Sequence, residues 1–136
     1  MTEASLEWLQ QEGEGTFFDF IGGRITAVKD GEVFGEIQIE KHHLNHMAIS
    51  HGGVYATMLD HMMGYAAYYA RPHARVVTTN LSIHYVAPIR SGLMKVSGRI
   101  VHSTRNLITT EGRICDAEGN LLAMATASYR AKAKEQ

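Results

Sequence analysis

Between His51 and Tyr69 the chain runs through glycine, alanine, methionine, leucine and tyrosine with a single acidic residue, Asp60. Val54, Met58, Met62, Tyr65 and Tyr69 recur at helical spacing, which predicts a helix over this stretch. Most of its other positions are also alanine, methionine or aromatic, so such a helix must be hidden on several sides rather than along one stripe. At 136 residues the chain has the size of one ordinary domain. Whatever wraps the helix therefore comes from the segments that flank it.

Those segments read as strands. From Arg24 to Glu40, Ile25 and Ala27 alternate with polar neighbours, Asp30-Gly31 makes a turn, and Val33, Gly35, Ile37 and Ile39 alternate again, giving a hairpin or two successive strands. After the helix, Val76 to Val86, Leu93 to Ser103, Leu107 to Cys115 and Leu121 to Arg130 are strand candidates. Pro88 with Ser91-Gly92, Thr104-Arg105-Asn106 and the loop Asp116 to Asn120 separate them. Short connections imply antiparallel pairing. The expectation is an α+β chain with one domain over residues 1–136. A short amphipathic helix covers about residues 4–11 (Leu6, Trp8, Leu9) and the core covers about 22–131. A long antiparallel sheet curled around one central helix is the hotdog fold.

Composition removes several classes of function. A formal charge of -1 gives no basic stripe, and nucleic acid is not an expected partner. No apolar run approaches the ~20 residues that span a bilayer, so no membrane partner is expected. The one cysteine, Cys115, has no intrachain disulfide partner, and the N-terminus lacks the basic-then-apolar pattern of a signal peptide, which together suggest the cytoplasm. His42, His43, His46 and His51 crowd together but find no second cluster of carboxylates or cysteines, so no metal site is expected.

The chemistry gathers at the start of the helix, in Asn45-His46-Met47-Ala48-Ile49-Ser50-His51-Gly52-Gly53, followed by Asp60 and then by Thr78 at the opening of the next strand. This pattern resembles the PaaI-like branch of the hotdog thioesterases, in which an asparagine precedes a His-Gly-Gly turn, an acidic residue lies two turns into the helix, and a threonine or serine opens the following strand. The segment Thr78 to Pro88 and the Asp116 to Gly119 hairpin extend the resemblance over roughly Gly35 to Arg130. One departure is Ala48, where relatives usually carry glycine. The resemblance implies an acyl-coenzyme A thioesterase that needs no cofactor, coenzyme A being part of the substrate, and a homodimer that associates into a homotetramer. It implies catalytic roles for Asp60, Gly52, Asn45 and Thr78, and substrate contacts from His51 and Gly53; Met63, with Met58 and Met62, is expected to line the acyl pocket as a deformable apolar wall. A hotdog hydratase and a non-catalytic acyl-coenzyme A binder are the alternatives. The hydratase pattern places a histidine five residues after the helix aspartate, where this chain has Tyr65.

Physical chemistry supports the same residues. Thioester hydrolysis needs donors for an oxygen that becomes negative and a group that activates water or attacks the carbonyl. Backbone N–H groups in the first turn of a helix lack internal partners, and the Gly52-Gly53 turn lets a ligand approach them. The Asn45 amide offers a second donor. A carboxylate beside Leu59, Met62 and Met63 is costly to bury unpaired, and its role as base or nucleophile stays open. His61 or Arg75 is its candidate partner if it is merely structural. Arg90 and Arg105 lie near strand ends where they can meet coenzyme A phosphates or stand in solvent. The tyrosines suggest an aromatic acyl group, with medium chains equally open. Gly52 and Asp60 lie eight positions apart, roughly 12 Å along one helix, too far for a single carbonyl to touch both. A site that uses both must be shared across a twofold dimer.

Overall fold

The computed structural model describes residues 3–72 and 74–133. Helix α1 (Glu3–Gly13) and the short α2 (Phe17–Phe20) precede β1 (Arg24–Lys29) and β2 (Glu32–Ile39). A 3-10 turn at Lys41–His43 leads to the central helix α3 (Gly52–Ala70), and β3 (Ala74–Tyr85), β4 (Gly92–Ser103), β5 (Leu107–Asp116) and β6 (Leu121–Ala133) complete the chain. The strands form one antiparallel sheet in the order β1-β2-β4-β5-β6-β3. This is the hotdog fold expected from the sequence.

Helix α3 begins where His51, with extended backbone, accepts the Gly53 N–H on Nδ1 at 2.7 Å. That bond satisfies one of the donors a helix start leaves open. The helix ends at Arg71, which leaves the helical region just before Pro72. Its buried side chains include Tyr55, Met58, Leu59, Met62, Met63 and Ala66, spread over more than one face.

The depth of α3 is set by glycine. Gly98 on β4 pairs with Gly112 on β5. A Cβ at Gly98 would stand 2.6 Å from the Met63 backbone nitrogen, and one at Gly112 would stand 3.2 Å from the Met63 side chain. The helix backbone thus lies directly on the sheet at this pair, and any side chain at position 98 would lift it.

Two features depart from the sequence expectation. Although β3 and β4 are consecutive and joined by a short segment, they do not pair; β3 binds β6 at one edge, and β4 lies between β2 and β5. Residues 86–91 cross the end of the sheet, with Val86 and Ala87 donating to the Leu122 carbonyl and Ile89 buried. Helix α2 was not anticipated. It is capped by Thr16 and sends Phe18 into the core to stack on His61 at 4.1 Å, while α1 lays Trp8 on Tyr68 at 5.0 Å.

Candidate functional site

Asp60 sits half-buried midway along α3 and faces the junction of β3 and β6. Thr78 and Tyr129 are cross-strand partners there, and a bulge between Thr78 and Asn80 interrupts the β3 register. Thr78 Oγ1 donates to Asp60 Oδ1 at 2.9 Å, and the Tyr129 hydroxyl reaches the same oxygen at 2.8 Å and the Asp60 carbonyl at 2.9 Å. Neither His61 nor Arg75 hydrogen-bonds the carboxylate. Asp60 opens onto a cavity of about 460 Å³ lined by His61, Gly64, Tyr65, Tyr68, Val76 and Val77, among others.

The start of α3 forms a second centre. Gly53 N–H is used by His51, whereas Gly52 N–H has no acceptor among the described residues. Asn45 Oδ1 accepts from Met47 N–H at 2.9 Å and Ile49 N–H at 3.4 Å, so its oxygen is committed to the loop and its NH2 group is the end left for a ligand. Asn45 and Gly52 both line a cavity of about 340 Å³ with Ser50, Tyr55, Tyr85 and Pro88. Tyr85 donates its hydroxyl to the Gly52 carbonyl at 2.9 Å, and Tyr55 donates to the Ala87 carbonyl at 2.7 Å, tying the helix start to the end of β3.

Burial governs the electrostatics. The His61 imidazole is pushed down to about 4 by burial, against a smaller opposite pull from Asp60, and is neutral at neutral pH. Burial, then the charge of Glu12, raises the Tyr65 phenol to about 12. The Tyr129 phenol lies far above its ordinary value, through burial first and the neighbouring Asp60 charge second. It is a hydrogen-bond donor at any working pH.

The structure therefore brings the sequence-predicted residues together in two pairs, Asn45 with Gly52 and Asp60 with Thr78. His51 caps the helix, and Gly53 serves that cap. Met63 is fully buried against the Gly98–Gly112 pair and lines neither cavity. Ala48 adopts a left-handed backbone with φ 61°, which explains why glycine suits the position, and Arg90 braces it by donating to the Met47 and Ala48 carbonyls. Arg90 is thus partly spent on the loop. His43 is buried, its Nδ1 accepting from Glu40 N–H and its Nε2 bonded to the Ile21 carbonyl. Among the described residues no three His, Cys, Asp or Glu side chains are grouped to hold a metal, and no helix is long and apolar enough to cross a membrane.

Sequence reasoning missed Tyr129 and Tyr85. For Tyr129 a signal existed: the inward positions of β6 are Ala123, Ala125, Ala127, Tyr129 and Ala131, a row of small residues broken by one phenol. A buried tyrosine hydroxyl needs a partner, and the helix opposite carries one carboxylate.

Known proteins agree with this architecture. A family model described as the thioesterase superfamily matches residues 47–123, more than half of the chain. Human acyl-coenzyme A thioesterase 13 is 26% identical over 127 residues, covering 90% of this chain and 91% of the human one. Among solved structures, a mutant thioesterase of Pseudomonas aeruginosa superposes with a TM-score of 0.89 at 18% identity, covering 95% of this chain and 94% of the other. A hypothetical thioesterase protein of Streptococcus pneumoniae, solved with coenzyme A, gives a TM-score of 0.76 at 23% identity, covering 86% and 94%. At such identities these structures speak to the fold alone.

Proposed function

The chain belongs to the thioesterase superfamily, and from that premise we propose that this thioester hydrolase cleaves acyl-coenzyme A carrying an aromatic or medium-chain acyl group. The observation that carries the reading is Asp60, a carboxylate held by the Thr78 hydroxyl at 2.9 Å on the wall of a largely apolar cavity of about 460 Å³. The cavity supplies the acyl pocket, with Tyr65 and Tyr68 as aromatic walls. The name of the human relative supports coenzyme A as the carrier.

In the proposed reaction Asp60 takes a proton from a water that attacks the thioester carbon. The carbonyl oxygen becomes negative and accepts hydrogen bonds from Gly52 N–H and the Asn45 NH2 group. Collapse of the intermediate breaks the C–S bond, and the thiolate leaves as coenzyme A with a proton, giving the free acid. In the nucleophilic variant an Asp60 oxygen bonds the carbon, coenzyme A leaves, and water opens the resulting anhydride. Neither route calls for a cofactor.

The two pairs of residues lie roughly 12 Å apart along α3, so the reading includes a site shared by two subunits. The β3 edge favours this. It is twelve residues long, has no strand beyond it in the sheet, and exposes Val77 and Tyr85, features that a lone subunit would be expected to blunt. Association of such dimers into a homotetramer and residence in the cytoplasm complete the proposal, the latter suited to a free Cys115. The hydratase alternative fits poorly, since Tyr65 occupies the position of that family's histidine and its phenol, raised to about 12, makes no base.

The test is thiol release from phenylacetyl, hydroxybenzoyl, acetyl and medium-chain acyl-coenzyme A. Aromatic or medium chains should lead in kcat/KM. Asp60→Asn should assemble normally and lose at least about a hundredfold in turnover. Pure, assembled protein that releases no thiol from any of them would overturn the reading.

A further inference from the structure

Resting on the catalytic reading of Asp60, we infer that Tyr129 is a positioning residue for the reaction: with Thr78 it holds one carboxylate oxygen of Asp60 and leaves the other to act on water or the thioester carbon. Three observations converge on this. Tyr129 and Thr78 face each other across β6 and β3, so both arrive at the carboxylate from one rigid cross-strand pair. Both bond the same oxygen, Oδ1, at 2.8 and 2.9 Å, while Oδ2 has no hydrogen-bond partner among the described residues, and Asp60 itself lines the cavity. The Tyr129 hydroxyl also reaches the Asp60 backbone carbonyl at 2.9 Å, so a single donor grips the main chain and the side chain together. A carboxylate with one free hydrogen bond rotates about its terminal torsion; one held on Oδ1 from two directions is fixed in plane. The ring itself is 2% exposed, packs beside Gly64 and lines the cavity together with Asp60 and Thr78, so its place beside the carboxylate is fixed by packing.

The two donors differ in kind. Thr78 is exposed and sits at the bulge, where solvent and ligand reach it. Tyr129 is buried, and its raised phenol keeps its proton throughout the working range. Tyr129 is therefore the permanent anchor, and Thr78 is the donor able to turn toward water.

The experiment is Tyr129→Phe, which keeps the ring and removes the hydroxyl, assayed beside Asp60→Asn by steady-state thiol release and thermal melting. The expected result is a fall in kcat of about tenfold or more with KM changed less than about twofold, because an unheld carboxylate spends less time in the productive orientation while the acyl pocket is intact. A structural role would instead lower the melting temperature and leave kcat alone at temperatures well below melting. Loss of activity in Asp60→Asn together with a kcat within about twofold of the parent in Tyr129→Phe overturns the positioning role and spares the catalytic reading. Retained activity in Asp60→Asn overturns both. Should Tyr129→Phe not fold, 3,5-difluorotyrosine at position 129 keeps the shape and strengthens the donor. The acid limb of kcat/KM should then move to lower pH, and an unmoved limb overturns the inference.

Discussion

Replacing His61 with phenylalanine isolates a pH dependence of stability that the fold builds in next to the site. His61 is half-buried on the cavity wall, stacked on Phe18 at 4.1 Å and edge-on to Tyr65 at 4.6 Å. Its imidazole titrates near 6.5 when unfolded and at about 4 when folded, because burial penalises the charged ring. Below pH 6.5 the unfolded chain binds a proton that the folded chain refuses, so stability falls as pH drops from about 6.5 to about 4 and then levels off. Integrated over that window the loss relative to pH 8 is about 2 kcal/mol at pH 5 and about 3 kcal/mol at pH 4. Other carboxylates titrate in the same range, which is why the comparison with His61→Phe matters: it preserves the stacked ring and removes only the titration. Urea unfolding of both proteins at pH 8 and pH 5, at one fixed protein concentration, gives the difference directly. The parent should lose about 2 kcal/mol more than the variant on going to pH 5. A difference that stays within about 0.5 kcal/mol between the two pH values would refute the argument that His61 is held neutral by burial.

Two further outcomes bear on the site. Gly64 lies one turn beyond Asp60 on the cavity wall, and a Cβ there would make ordinary contact with the Tyr129 ring at 3.4 Å, so Gly64→Ala should fold with up to about 1 kcal/mol of added stability. KM should rise for phenylacetyl-coenzyme A more than for acetyl-coenzyme A, and equal changes for the two would place the acyl group elsewhere. Mixing Asp60→Ala with Asn45→Asp, which keeps the loop acceptor but removes the NH2 donor, should restore activity if sites are shared, since each mixed dimer then holds one intact site. Mixed dimers verified by mass spectrometry that stay inactive would exclude sharing.

The elements legible in the sequence were those written in local periodicity. The helix expected over His51 to Tyr69 is Gly52–Ala70 with His51 as its cap, and each of the strands expected after it is present within a few residues. Asp60 and Gly52 stood out because a lone carboxylate in an apolar helix and a glycine pair at its start are anomalies within one element. What stayed hidden depended on elements meeting. Strand order was not visible, because the short 86–91 segment looks like a hairpin connection and gives no sign that β4 joins β2 instead. Met63 looked like pocket lining because every side of α3 is apolar; only the Gly98–Gly112 pair, far along the chain, decides which side is pressed into the sheet. Tyr129 is sixty-nine positions from Asp60, and no local pattern joins them.

Strand β3 ties assembly to chemistry. Near its start Thr78 holds Asp60, and at its end Tyr85 holds the Gly52 carbonyl, so each subunit displays the two halves of the proposed site at opposite ends of one edge strand. Antiparallel pairing of two such edges brings residue i of one copy opposite residue j of the other with i and j summing to a constant. For Thr78 to face the partner subunit's Tyr85, the twofold axis of the proposed dimer must pass between Leu81 and Ser82, about two residues beyond the middle of the Ala74–Tyr85 strand. In that register residues 78–85 of the two copies lie opposite one another, eight of the strand's twelve, while 74–77 run past the pairing. A pairing that covers two thirds of this edge would thus also place a carboxylate opposite an oxyanion donor, which gives a physical reason why hydrolysis in the proposed dimer should require both subunits.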